Sequence, residues 1–186
     1  MARTAVGWRS HSGWAVLVAV RGPAAFPQVL ARRRIELVND SLPRQPYHSI
    51  AEQGLSLRAG EALIARVEKM ALDRAVASTE SVRDECGIDA VGVVGRVRVV
   101  PDELERILAS HALLHAAEGD LFERVLIDAA THIGVQALVM EPASIEIPEA
   151  VDTGGKALGP PWQKDHKLAA TVALAALDQP RGVLSR

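Results

Sequence analysis

Aromatic residues and cysteine are scarce in this sequence, and neither sign of charge is in excess. Phe, Trp and Tyr together make up 3% of the 186 residues, and Cys86 is the single cysteine. One cysteine excludes an intrachain disulfide framework and a cysteine-rich zinc site. So few aromatic residues argue against a surface on which successive bases stack. The formal net charge of −2 argues against bulk electrostatic attachment to nucleic acid or anionic lipid.

Long apolar runs are also lacking. The apolar run at residues 14–20 is far shorter than the ~20 residues that cross a bilayer, and Arg21 follows it without a small-residue cleavage site. The Ala-rich run at residues 168–177 is too short as well. We therefore expect no membrane partner. With no export signal and one free cysteine, we expect a cytoplasmic protein.

The sequence does have the composition of a folded protein, with 48% hydrophobic and 24% charged residues. At this length, one domain over residues 1–186 is the expectation. Apolar, β-rich segments predict strands at 4–8, 14–20, 28–38, 88–100 and 135–140. Helical spacing predicts helices at 55–86, 101–133 with a break near Gly119, and 162–177. The segments 39–54 and 144–161 carry prolines, glycines and polar residues and are predicted to be loops.

The order of these elements predicts an α/β fold with one mixed five-stranded sheet. Three strands joined by short turns indicate an antiparallel meander. A helix between the last two strands implies a right-handed parallel crossover, so helices alternate with parallel strands after the meander. Helices are expected on both faces of the sheet.

Several local patterns accompany this order. Residues 4–8, 9–13 and 14–17 form a short strand, a glycine-containing turn and a second strand, and Asp165 precedes the Ala-rich stretch 168–177. With the helix and strand at 115–135, these patterns resemble the ribonuclease H-like superfamily, and within it the Holliday-junction-resolvase branch (RuvC and YqgF-like proteins). The resemblance covers most of the chain and implies a ribonuclease H-like fold.

The resemblance also implies divalent metal ions held by acidic residues on the first strand, near the end of the fourth strand and in the last helix. Here the first position falls at Trp8 or Arg9, and the end of the fourth strand, residues 92–96, carries no acid. Hard divalent cations need several oxygen ligands, and a two-metal nuclease needs bridging carboxylates. Asp165 is the acid that remains.

The resemblance, together with the missing acids, leaves two candidate functions. The first is a metal-dependent phosphodiester hydrolase acting on nucleic acid at a local site, with Mg²⁺ or Mn²⁺ expected ahead of Zn²⁺. The second is a non-catalytic binding or assembly module on the same fold, from which the ancestral acidic site has been lost. A homodimer is a further expectation.

The first candidate site lies in the predicted helix 101–133. His111, His115 and Glu118 are spaced by four and three residues, which places them on one helix face. Two imidazoles and a carboxylate can hold one transition metal, so these three residues are predicted metal ligands. Alternatively, Glu118 orients His115 as a general base. The structural alternative is a set of partly exposed polar residues whose leucine neighbours face the core.

The second candidate site lies at the start of the last helix. Asp165 stands in the first helical turn, where the helix dipole favours an acid. Candidate substrate-binding residues surround it, namely Trp162, Lys164, His166 and Lys167. The basic ones are of the type that contacts phosphates. The alternative is a helix start with a solvated charged turn.

The third candidate site is the predicted turn at residues 9–13, which contains His11. A plain turn is the simpler interpretation, given the turn chemistry of Ser and Gly. In the resembled fold, however, this turn lies near the final helix, which predicts that His11, Glu118 and Asp165 meet. Together with His115, they form the predicted catalytic set. The basic run at 32–34 is predicted to be a solvated strand edge that blocks strand-to-strand aggregation.

Overall fold

Five strands form one mixed sheet in the computed structural model, which describes residues 2–96 and 98–179. The strands are β1 (Thr4–His11), β2 (Trp14–Arg21), β3 (Gln28–Glu36), β4 (Ala90–Val94) and β5 (Ala137–Met140). The first three are antiparallel neighbours, and β4 and β5 run parallel to β1, in the order β3-β2-β1-β4-β5. This confirms the predicted sheet. We call the edge at which β1, β4 and β5 end the carboxyl edge.

Six α-helices flank the sheet in the described part of the chain. They are α1 (Pro46–Gln53), α2 (Leu57–Cys86), α3 (Leu104–Leu108), α4 (His111–His132), α5 (Glu149–Lys156) and α6 (Lys164–Asp178), with a short 3₁₀ turn at Pro142–Ser144. In these ranges none of the helices combines the length and the apolar character needed to cross a membrane.

The two faces of the sheet pack against different helices because successive side chains on a strand alternate in direction. Val6 and Trp8 belong to the large core shared with α2 and α4, whereas Ala5 packs against α6. Gly7 lies directly under α6, where an added Cβ would come within 1.7 Å of the Ala169 carbonyl oxygen. Helix α6 therefore rests its backbone on the middle of the sheet, and its first turn reaches the end of β1.

The structure corrects several predicted boundaries near the candidate sites. β1 does not turn at Arg9 but continues to His11, because its residues pair with β2 up to His11 opposite Trp14. Of the predicted strand 88–100, the structure shows a regular strand over β4, and the other described residues of that range lie outside it. Both predicted loops contain a helix, α1 and α5, and each of these begins at or directly after a proline. Proline fits the first turn because that position needs no N–H donor.

The break predicted at Gly119 lies instead between α3 and α4. The Ser110 side chain accepts a hydrogen bond from the Leu113 N–H and so caps the start of α4. A serine N-cap supplies a partner to an otherwise unpaired N–H. Gly119 stays helical because α4 packs along its length against α2 and the sheet, and packing overrides the weak helix propensity of glycine.

Candidate functional site

A group of charged side chains lies where β1 ends against the first turn of α6. Oδ2 of Asp165 is 3.0 Å from Nε2 of His11, and Oδ1 is 3.8 Å from Nε of Arg9. Arg9 and His11 project from the same face of β1 because they are two residues apart. The prediction that His11 and Asp165 meet is therefore confirmed. Arg9 is a cationic neighbour of Asp165. From the sequence, it was noted only because it falls where the resembled family carries its first-strand acid.

His11 is also the first member of a stack that crosses three strands. Its ring centroid lies 4.1 Å from that of Trp14, with 12° between the ring planes. The Arg34 guanidinium lies 3.6 Å from the centroid of the Trp14 ring, a cation–π geometry. We call Arg9, His11, Trp14, Arg34 and Asp165 the edge cluster. The stack fixes His11 beside Asp165 and brings a second guanidinium to the carboxyl edge.

The edge cluster does not fit a pair of hard divalent cations. Asp165 is the only carboxylate among its five residues, and a guanidinium and an imidazole flank it. Within the described ranges, no three potential metal ligands gather at this edge. One turn further along α6, Leu168 packs with Val94 at the end of β4 in an apolar cluster. Two such ions would require further carboxylates around Asp165, and the groups found there are cationic or apolar instead.

Three of the four predicted substrate-binding residues serve to hold α6 in place. His166 is buried, and its Nδ1 accepts a hydrogen bond from the Gln163 N–H at 3.1 Å. Lys167 forms an ion pair with Asp152 of α5. The Trp162 indole packs so closely on α5 that a Cβ at Gly155 would lie 1.8 Å from it. The sequence did not predict these contacts with α5, because the segment 144–161, which contains α5, was predicted to be a loop.

Lys164 differs from these three residues, since it is exposed at the start of α6 next to Asp165. The predicted contact of Lys164 with phosphate stays a prediction. The start of α6 therefore offers one accessible lysine and not a group of four ligand-binding side chains.

A second group of side chains, on the other face of the sheet, contains three histidines. His111 and His115 project from the start of α4, and their Nε2 atoms are 3.0 Å apart. His48 of α1 joins them, and one potential ligand nitrogen from each of the three rings lies within 4.8 Å of the others. We call His48, His111 and His115 the histidine cluster. The contact of His48 with the α4 histidines was not predicted, because His48 lies in a segment assigned as a loop, although Pro46 signals a helix start there.

Glu118 lies beneath the histidine cluster with 3% of its surface exposed. Its Oε1 accepts a hydrogen bond from the His48 backbone N–H at 3.1 Å and lies 3.2 Å from His48 Nδ1. Burial raises the pKa of the Glu118 carboxyl, and the bonds with His48 oppose that rise. The prediction that Glu118 meets His11 and Asp165 is wrong, because α4 and α6 pack on opposite faces of the sheet.

A further acid, Glu123, was not singled out from the sequence. It is buried on α4, accepts a hydrogen bond from the Arg96 N–H at 2.9 Å and pairs with Arg98. An added Cβ at Gly95 would lie 3.1 Å from its carboxylate. Glu123 thus binds the backbone of Arg96 and the side chain of Arg98. The Arg96 side chain itself is exposed at the carboxyl edge.

Comparison with known proteins identifies the fold. The sequence matches no protein family model, and none of the curated proteins matches it. Thermus thermophilus RuvC in complex with a Holliday junction substrate superposes with a TM-score of 0.57 and 14% identity, over 92% of this chain and 90% of that one. A second T. thermophilus RuvC structure gives a TM-score of 0.53 and 15% identity, over 92% and 91% of the two chains. At such identities the likeness shows that the chain has the ribonuclease H-like fold of the RuvC resolvases.

Proposed function

We propose that this chain, with its ribonuclease H-like fold, binds branched nucleic acid at the carboxyl edge of the sheet without cleaving it. The edge cluster carries the proposal, because Arg9 and His11 flank Asp165 where a two-metal nuclease would need further carboxylates. The similar RuvC structure contains a Holliday junction substrate. A four-way DNA junction is therefore the first ligand to test.

Basic side chains around the edge cluster support phosphate binding. The residues concerned are Arg9, Arg34, Arg44, Arg96 and Lys164, and the acids that pair with them are Glu36, Asp40 and Asp165. Guanidinium and ammonium groups form charge-assisted hydrogen bonds with phosphate oxygens. The net charge of −2 argues against attraction over the whole surface, so we place the binding at this edge.

Hydrolysis is the weaker of the two candidate functions. It would need a cluster of oxygen ligands for Mg²⁺ or Mn²⁺. Within residues 2–96 and 98–179, the only group of three potential metal ligands is the histidine cluster, which offers nitrogen atoms. Binding without cleavage requires only the cations and the stacked rings that are present. We therefore place the binding module ahead of the hydrolase.

Fluorescence anisotropy with a labelled four-way junction and a duplex of equal length tests the binding. We expect the wild type to bind the junction at low salt, and Arg34→Ala or Lys164→Ala to weaken binding about threefold to tenfold. Arg83→Ala is the matched control, because Arg83 is exposed and pairs with Glu80 near the end of α2, where the chain leads to the start of β4. No junction binding, or an equal loss in the control, would refute the proposal.

Incubation of the same junction with Mg²⁺ or Mn²⁺ separates the two candidate functions. We expect the labelled strands to stay intact on a denaturing gel. Strand cleavage that Asp165→Asn abolishes would establish the hydrolase and overturn the non-catalytic assignment.

A further inference from the structure

The three imidazoles of the histidine cluster lie close enough to share one ion. We propose that His48, His111 and His115 bind a single transition-metal ion, and that Zn²⁺ is the ion they suit best. The proposed site is separate from the edge cluster, since α1 and α4 pack on the face of the sheet opposite to α6.

The first argument is the distance between nitrogens. Two histidine nitrogens bound to one Zn²⁺, each at about 2.0–2.1 Å, are about 2.8–3.4 Å apart for angles near 90–110°. The Nε2 atoms of His111 and His115 are 3.0 Å apart. The third nitrogen lies within 4.8 Å of both, so a small rotation of the exposed His111 and His115 side chains completes the set. A spacing of four on a helix is a common way to present two metal-binding imidazoles.

The second argument is an unpaired nitrogen. His48 Nδ1 faces the Glu118 carboxylate, whereas its Nε2 is buried and has no hydrogen-bond partner among the residues that the structure describes. A buried polar atom without a partner costs free energy, and a metal ion would supply the missing partner. When Nδ1–H donates to Glu118, Nε2 presents the lone pair that a metal requires. Histidines that bind metals usually donate their other N–H to a carboxylate in this way.

The third argument is charge. Glu118 is almost fully buried, and among the ion pairs of the described residues its partner is His48, with no Lys or Arg. Burial of a carboxylate costs free energy, which a nearby cation offsets. A divalent ion on the histidine cluster would provide this compensation through His48. Glu118 is therefore a positioning residue for His48 and not a metal ligand, which revises the predicted set of His111, His115 and Glu118.

The donor atoms select the metal. Imidazole suits Zn²⁺, Cu²⁺ and Ni²⁺, whereas Mg²⁺ and Mn²⁺ prefer oxygen ligands. The histidine cluster therefore departs from the expected preference for Mg²⁺ or Mn²⁺. Three protein ligands leave the fourth tetrahedral position of Zn²⁺ to water, and both α4 histidines are exposed. The site is of the type with an open coordination position.

Titration of the full, chelator-stripped protein with Zn²⁺ against a chromophoric chelator tests the proposal. We expect one Zn²⁺ per chain, with a dissociation constant that rises at least about 100-fold in His48→Ala and in the double variant His111→Ala/His115→Ala. His132→Ala is the matched control, because His132 is exposed at the other end of α4. Circular dichroism of each variant checks that the fold is retained.

Two further measurements make the test specific. Glu118→Gln should weaken Zn²⁺ binding about 10- to 100-fold, the usual cost of losing a carboxylate behind a ligating histidine. Co²⁺ should give visible absorption bands with the wild type that His111→Ala removes. No stoichiometric Zn²⁺ binding, or a loss in His132→Ala equal to that in His48→Ala, would overturn the proposal. The readout is metal content, so the outcome is independent of DNA binding.

Discussion

At the residue scale, His166 shows how a predicted binding residue serves the helix start. Its Nδ1 accepts the Gln163 N–H, which requires the imidazole to be neutral. Burial lowers the pKa of His166 below its ordinary value of 6.5, and the charge of Arg32 acts in the same direction. A histidine with a lowered folded pKa contributes stability above about pH 6.5, and this contribution is lost as the pH falls through the folded pKa.

We therefore expect His166→Ala to lower the free energy of unfolding by about 1 kcal/mol near pH 7.5, the usual cost of a lost cap. Below the folded pKa the difference between variant and wild type should shrink, because protonation disrupts the same bond in the wild type. Urea denaturation at about pH 7.5 and pH 5 measures this. Stability curves of the two proteins that stay parallel across this range would contradict the assignment.

Gly7 carries a second prediction at this scale. The added Cβ of Gly7→Ala would lie 1.7 Å from the backbone oxygen of Ala169, an atom that cannot move without shifting α6. We expect a loss of at least about 2 kcal/mol in the free energy of unfolding, or failure to fold. Ala62→Ser, at an exposed position of α2, is the control. Urea denaturation of both variants is the measurement, and equal stability would show that α6 does not approach β1 so closely.

At the element scale, one carboxylate joins α5 to α6. Asp152 forms ion pairs with Lys167 of α6 and Lys156 of its own helix. The hydrogen bond from Lys167, followed by that from Lys156, lowers the pKa of Asp152 from 3.8 to about 2. A carboxyl with a lowered folded pKa contributes stability above its ordinary pKa, and that contribution is lost as the pH falls towards the folded value.

We therefore expect Asp152→Asn to destabilise the protein at neutral pH, with the difference from wild type closing between about pH 4 and pH 2. Asp128→Asn, at an exposed position of α4, should show no such closure. Thermal unfolding followed by circular dichroism across this range gives the comparison. A constant difference for Asp152→Asn would mean that the ion pair does not join the two helices.

At the scale of the whole molecule, the net charge is −2, and the basic residues that we propose for phosphate contact lie at one edge of the sheet. Binding to DNA should therefore involve few phosphates. For three or four contacts, we expect the logarithm of the binding constant to fall with the logarithm of salt concentration with a slope of about −3. Lys164→Ala should make the slope shallower by about 1.

Anisotropy titrations at several salt concentrations measure this slope. A value near about −10 would indicate a far wider contact surface than the carboxyl edge offers and would contradict the local site. The homodimer and the cytoplasmic location stay predictions from the sequence.

Much of the fold was predictable because its signals are local. The continuous apolar, β-rich run at residues 14–20 identifies a strand without reference to the rest of the chain. The spacing of His111, His115 and Glu118 places them on one helix face. The order of elements then restricts the sheet to few topologies, because crossovers are right-handed. The expected meeting of His11 with Asp165 came from the resemblance to the ribonuclease H-like fold, in which the first turn lies near the last helix.

Contacts between distant segments were decided only by the tertiary structure. His48 joins the α4 histidines because α1 packs against α4, and no local periodicity in a segment assigned as a loop indicates that contact. Likewise, the packing of α6 turns Asp165 towards Arg9 and Lys167 towards Asp152. The sequence by itself determined which chemical groups are present and which elements carry them. Packing decided which of these groups meet, because burial and close approach depend on surfaces that come together only in the folded chain.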